Sequence, residues 1–445
     1  LMSFFGRFNY NYNDRYLFEA NLRYDGSSKL TPASRWAAFP SFSAGWRVTE
    51  EKFMKNLEAR WLDNLKIRGS WGQLGNQNID NYAYQSILDF TGNYSFDDAA
   101  LSTGVAQSTL SNPSIRWETT TMSDIGLDLD IFQGWNITAD WYKKRVTDIL
   151  RPSQVTGVVG LKPPTINNGT VENTGFEFGI AYHHVVKNGA LSGLSYSVGG
   201  NLEHYKNKLV SFGAREIDGY RIREQGGEYN AYYVLEQTGI FQSEEEVKNS
   251  PKQFSDNTLP GDLKFKDQNG DGVVNDDDRI VVAGAFPALN YALRVSAQWK
   301  GFDLSAMAQG VDNVKFYVSD WGTVPFVQGA PPTTNWRDRW TEANHSATLP
   351  RLYFGWNAPD KLRRNSTFSL QGASYLRLKN LTFGYTLPVK VTRQIGIDNV
   401  RVYFSGDNLF TATRYPGLDP ERANSGSFVQ YPQNKIYSFG LNVKF

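Results

Sequence analysis

The feature that most constrains this chain is a period-two alternation of apolar and polar side chains, in segments of about ten residues, recurring from one end to the other. Tyr16, Phe18, Ala20, Leu22 and Tyr24 alternate with Glu19, Asn21 and Arg23, and Leu65, Ile67 and Trp71 with Lys66, Arg68 and Ser70. Ile125, Leu127, Leu129 and Ile131 oppose Asp128 and Asp130. Further on, Leu289, Tyr291, Leu293, Val295, Ala297 and Trp299 oppose Asn290, Arg294, Ser296 and Gln298. Successive side chains of a strand point to opposite faces, so each segment reads as a strand with one apolar face.

A half-exposed soluble sheet alternates in the same way, so composition has to separate the cases. Aromatic residues make up 14% of the 445 residues, yet the mean hydropathy is −0.47. A transmembrane barrel combines these two values, because lipid touches only every second side chain while aromatics gather at the two interfaces. No run of 18 apolar residues exists, so no helix is expected to span a bilayer. With 46 Lys+Arg against 45 Asp+Glu, the net charge of +1 gives no field to recruit nucleic acid. The absence of Cys excludes disulfides, thiolate catalysis and zinc–thiolate sites. The opening residues LMSFFGRFNYNY are strand-like and carry no signal-peptide features, so residue 1 is not expected to be the natural N-terminus.

The connections alternate between short and long. Short links fall at Asn13-Asp14, 132–135, 187–191 and 300–301, with compact ones at 50–62 and 388–398. Long polar excursions fall at 74–114, 148–172, 207–285, 316–369 and 411–433, as expected of tight periplasmic turns and large extracellular loops. Residues 229–242 look like a strand, but counting them in the wall would reverse the two sides, so they are assigned to the 207–285 excursion. The expected fold is all-β, an antiparallel transmembrane β-barrel. Its strands are expected near 3–13, 15–25, 37–49, 63–73, 117–131, 135–147, 174–186, 192–206, 288–299, 302–315, 374–387, 399–410 and 435–445. An odd number cannot close a bacterial single-chain barrel, so the remaining strands are expected upstream. Around Asn380 the apolar set changes phase, from Leu376 and Leu378 to Leu381, Phe383 and Tyr385, which predicts a bulge. The final strand ends on Phe445, the expected outer-membrane assembly signal; the plain alternative is an ordinary last strand.

Three constellations are candidates for chemistry. Asp267, Asn269, Asp271, Val273, Asn275 and Asp278, with Gly272 at the sharp turn, have the ligand spacing of a twelve-residue calcium loop. Asp278 stands where a bidentate Glu is usual. A divalent cation, calcium by this spacing, would stiffen the loop structurally; the competing reading is an acidic turn that binds nothing. Trp321, Trp336, Trp340, Tyr353 and Trp356 in the 316–369 excursion are candidates for substrate or lid contact, against packing of the loop on itself. Inward charges such as Glu19, Arg23, Lys66, Arg68, Asp128 and Asp130 line a solute path or hold a plug. Of the four histidines, His183 and His184 are strand neighbours that cannot chelate together, and His204 and His345 are isolated. No convincing carboxylate pair for hydrolysis is present.

The stretches NLRYDGSSKL, RWAAFPSFSAGW, LKIRGSWGQLGNQNI, RWETTTMSDIGLDLDIF, NTGFEF, GDLKFKDQNGDGVVNDDDR, SYLRLKNLTFGYTLP and VRVYFSGDNLFTATRYPGLDPE together resemble, in order, the SusC/RagA-type TonB-dependent transporters. The resemblance runs from about residue 3 to Phe445. It implies the C-terminal part of a 22-stranded barrel plugged by an N-terminal domain absent from this chain. It also implies an outer-membrane location in Bacteroidota, energy from the TonB complex, a SusD-like lipoprotein partner, import of glycans or oligopeptides, and no catalysis. The alternatives are a passive porin or structural barrel and a soluble calcium-binding, glycan-binding β protein.

Overall fold

The structure, a computed structural model, describes every residue except 91, 97–99, 255–256, 319–323, 327–328, 346, 355–361, 363 and 422–430, together with the side chain of 395. Thirteen strands form one antiparallel sheet in sequence order. They are β1 (Met2–Tyr12), β2 (Tyr16–Gly26), β3 (Trp36–Arg47), β4 (Leu62–Asn76), β5 (Glu118–Ile131), β6 (Trp135–Thr147), β7 (Thr170–Val185), β8 (Ser195–Ser211), β9 (Leu289–Trp299), β10 (Phe302–Asp312), β11 (Tyr375–Thr386), β12 (Asn399–Thr413) and β13 (Ile436–Lys444). All thirteen expected wall strands are present, and 229–242 lies outside this sheet. No described helix is long and apolar enough to cross a membrane.

Four strands overrun their expected limits by three residues or more. β4 continues to Asn76, β7 starts at Thr170, β8 runs to Ser211 and β12 to Thr413. Ladder hydrogen bonds do not require an apolar face, so polar stretches such as Lys206-Asn207-Lys208 extend a strand that the pattern alone ends early. β8 instead begins three residues later than expected, because Gly193 adopts a left-handed turn conformation before it.

The chain divides into two compact units. The first comprises Leu1–Ile180, Tyr205–Arg215 and Glu224–Gly227. Its strands pair so that side chains of one kind meet: Tyr12, Tyr16, Trp46, Ile67, Leu127 and Ala139 stand opposite one another across β1 to β6. The opposite face carries Asn9, Glu19, Ser43, Ser70, Asp124 and Tyr142 in the same manner. Three-residue connections, with positive φ at Asn13-Asp14 and Phe132-Gln133, join the hairpins. At one end of the strands, Leu30, Phe39 of β3, Ile79, Ile115 and Trp117 make a small core, in which the Trp117 indole donates to the Arg35 carbonyl at 3.0 Å.

The second unit comprises Ala181–His204, Glu216–Arg223 and Glu228–Phe445. Its apolar rank reads Tyr196, Ala297, Leu304, Phe383, Phe404 and Phe439 from β8 to β13. The adjacent rank, on the other face, is Ser197, Ser296, Ser305, Thr382, Ser405 and Ser438. The expected bulge is present in β11, where Lys379 is inserted between Leu378, opposite Ala308, and Asn380, opposite Met307. The long connections have structure of their own: a four-stranded sheet from Glu216–Asp218, Arg221–Arg223, Ala231–Leu235 and Arg279–Val282, beside a core of Leu235, Ile240, Leu263, Phe265, Val274, Trp336 and Trp340.

Candidate functional site

On the polar face of the first unit, the Arg68 guanidinium gathers three carboxylates. It pairs with Asp140 at 2.6 Å, Asp128 at 3.1 Å and Asp124 at 3.3 Å, and Lys66 lies 3.5 Å from Asp128. The reach to Asp140 crosses a strand. Arg68 stands opposite Gly126, and Gly126 opposite Asp140, so the side chain passes over the bare backbone of β5. A Cβ on Gly126 would collide with the carboxylate and the guanidinium together. Nearby, Arg23 pairs with Asp25 at 2.7 Å, Glu19 accepts from the Asn21 amide at 2.8 Å, and Asp130 accepts from Asn136 at 2.6 Å. The inward charges foreseen from the sequence are thus ion-paired or hydrogen-bonded to near neighbours, around a cleft lined by Asn9, Glu19, Ser43, Lys66, Arg68 and Asp124.

The second unit repeats the device. Arg401 pairs with Asp303 at 2.6 Å, and between them a Cβ on Gly384 would meet both. The hydroxyl rank lies on this face, with Thr382 donating to Asn380 at 3.3 Å. At the bulge, Lys379 reaches Glu421 at 2.7 Å, and buried Arg377 reaches Asp419 at 2.6 Å and Glu421 at 2.5 Å. This latch of segment 419–421 onto β11 was missed in the sequence. Its signal was the cation pair Arg377 and Lys379 in one strand with Asp419 and Glu421 just beyond the next.

The loop aromatics fall into two groups. Trp336 and Trp340 are 3% and 6% exposed inside the loop core, and Tyr353 packs against that core with its hydroxyl donating to Asp262. Burial pushes the Tyr353 phenol up, and the Asp262 carboxylate adds to the shift. The Trp340 indole donates to Gln242 at 3.1 Å. The faces of these three rings are taken by their own chain. Trp321 and Trp356 lie outside the described residues.

The acidic turn is organised by its own side chains. Asp267 accepts from the amides of Gly270 and Gly272, Asn269 from Asp271, Asp271 from Val273, and Asn275 from Asp277. Asp278 is fully buried and accepts from the amides of Gln268 and Asn275, both at 2.8 Å. Burial works to raise its pKa, but the amides of Asn275, Gln268 and Asn269 outweigh it, and the carboxyl titrates below its ordinary range. The oxygens that accept a single amide retain a lone pair; Asp278 Oδ1 accepts from both Gln268 and Asn269. Among the described residues, no three His, Cys, Asp or Glu side chains converge as a metal-binding group. His184 stacks on Tyr182, with ring centroids 6.0 Å apart; His204 bonds the Ala288 carbonyl at 2.9 Å, and His345 lies beside Trp340.

The family model for the TonB-dependent receptor-like β-barrel matches residues 2–409. The chain belongs to this family. It is 28% identical over 473 residues to TonB-dependent receptor P3 of Formosa agariphila, covering 100% of the chain and 45% of that relative. It is likewise 28% identical over 472 residues to TonB-dependent receptor SusC of Bacteroides thetaiotaomicron, covering 100% of the chain and 44% of SusC. The solved RagAB peptide transporter superposes with a TM-score of 0.81 at 24% identity, over 100% of this chain and 47% of that one. The chain therefore spans about half the length of the curated relatives it matches.

As a TonB-dependent receptor barrel of the SusC/RagA type, the protein is a multi-pass outer-membrane protein, and the apolar ranks of both units are its lipid-facing surface. The polar faces then carry two different textures. One is a set of three carboxylates gathered by Arg68 and Lys66; the other is a rank of hydroxyls beside the single Arg401–Asp303 pair.

Proposed function

We propose that this chain belongs to a transporter that actively imports a large nutrient, a glycan or an oligopeptide, across the outer membrane. The TonB complex supplies the energy through a plug, the remaining barrel strands come from the rest of the protein, and a SusD-like surface lipoprotein closes over the long connections. The observation that carries this reading is the register of the second unit, where a lipid-compatible aromatic rank backs directly on a neutral hydroxyl rank. Such a rank offers a polar solute hydrogen-bonding groups, and the charges Asp303 and Arg401 on the same face are paired with each other. The long connections are the extracellular loops, where substrate or lid is recognised, and Trp321 and Trp356 stay as candidates from the sequence. Phe445 is the assembly signal. In the acidic turn, Asp267, Asn269, Asp271, Asn275 and Asp278, with the Val273 carbonyl, hold a divalent cation, calcium by its preference for oxygen donors, which braces the loop.

Uptake of a fluorescent glycan or oligopeptide by cells carrying the transporter decides between active import and a passive porin. Active import predicts uptake abolished by a protonophore, and no steady conductance when the protein is placed in a planar bilayer. A porin predicts stable conductance steps and protonophore-insensitive uptake. Gentle detergent extraction is expected to bring a surface lipoprotein down with an affinity-tagged transporter.

A further inference from the structure

The connection between β3 and β4 carries a short helix, α1 (Lys52–Asn56), whose placement the import reading does not use. Glu51, the residue before it, accepts hydrogen bonds from the Tyr16 hydroxyl at 2.6 Å and the Trp46 indole at 3.1 Å. Tyr16 and Trp46 both belong to the lipid-facing rank of the first unit, so α1 starts at the membrane side of the wall and at its short-turn end. Phe53 and Leu57, four residues apart and so on one helical face, are 54% and 67% exposed. Trp61 is 51% exposed and packs against exposed Phe132 of the neighbouring turn, ring centroids 6.1 Å apart. Three large apolar side chains on one turn with no protein over them are costly in water. They are continuous with a surface already in contact with lipid.

The charges of the turn are sorted to match. Glu50 pairs with Lys55 at 2.7 Å and Arg47 at 3.7 Å, and Glu51 pairs with Arg15 at 3.6 Å. Within the turn that leaves exposed Lys52 and Arg60 against Glu58, with exposed Asp63 just beyond Trp61 taken by the Gln133 amide. The short turns of such barrels lie on the periplasmic side. We propose that α1 and the turn to Trp61 form a phospholipid-docking site on the periplasmic leaflet, with Phe53, Leu57 and Trp61 in the headgroup–acyl boundary and Lys52 and Arg60 on the phosphate of an anionic glycerophospholipid. The site rests on the outer-membrane location of the family and is independent of what the transporter carries. A similar turn in the second unit, with exposed Val389 and Val391 beside Lys390 and Arg393, follows the lipid-facing end of β11.

The absence of Cys allows single bimane labels at Phe53→Cys and Leu57→Cys, with Phe42→Cys on the lipid-facing wall and Asp218→Cys in a long connection as references. The transporter is reconstituted in nanodiscs of phosphatidylethanolamine containing dibrominated phosphatidylglycerol or dibrominated phosphatidylcholine. Quenching at position 42 and none at 218 establishes insertion in every sample scored, and a wall that is not lipid-facing would show itself there. Quenching at 53 and 57 comparable to that at 42 is expected. Phosphatidylglycerol is expected to be preferred by about fivefold per cation, a preference lost in Lys52→Gln with Arg60→Gln. Labels at 53 and 57 as dark to bromine as the one at 218, equal quenching by the two lipids, or loss of the preference on adding inorganic phosphate would each overturn the proposal.

Discussion

Arg68 and Gly126 act as one unit, since the arginine reaches Asp140 only because its cross-strand neighbour has no side chain. Gly126→Ala is therefore expected to cost as much as removing the ion pair, about 1.5–3 kcal/mol for charge-assisted hydrogen bonds before any discount for partial exposure. Unfolding of the purified barrel in denaturant, followed by gel mobility, measures it. Arg68→Lys should recover only part of the stability, because an ammonium cannot hold three carboxylates through a fixed fork. An alanine at 126 with no effect would mean the three-strand reach is ornamental. The convergence was not legible beforehand: Arg68 and Asp128 were visible as inward charges, Asp124 and Asp140 were not singled out, and their meeting depends on register, which the alternation alone does not set.

At the scale of elements, the wall strands were legible because membrane and water impose opposite demands on alternate residues, and the bulge at Lys379 was legible because the phase of that pattern changes there. The loop interior was not, since a loop core has no period: Trp336 and Trp340 look the same in sequence whether they face solvent or Val274 and Leu263. The acidic turn had a recognisable spacing, and its behaviour follows from Asp278. A carboxyl whose folded pKa is lowered contributes stability that is present above the unfolded value, near 3.9, and is lost as pH falls through the folded value. Hydrogen exchange of residues 263–282 should therefore stay slow at pH 5 and accelerate only below the ordinary carboxylate range. Asp278→Ala should lose that protection at neutral pH. If calcium is bound, adding a chelator to the parent protein should raise protease cleavage in this segment, and the same chelator should leave Asp278→Ala unchanged.

For the molecule as a whole, insertion and tolerance to change are the properties that follow from the wall. Removing Phe445 is expected to lower the amount of transporter in outer-membrane fractions several-fold while a substitution at exposed Val158 leaves it unaltered, quantified by immunoblot of separated membranes. The bare backbones at Gly126 and Gly384 have a further consequence. In a soluble core the bulky residues are the ones a saturation screen finds intolerant, and the smallest are forgiving. Here the ranking should invert at these sites: codons 126 and 384 become dark columns of the mutational map although they carry no side chain, and an engineer redesigning the channel has more freedom with its outward phenylalanines than with these empty places.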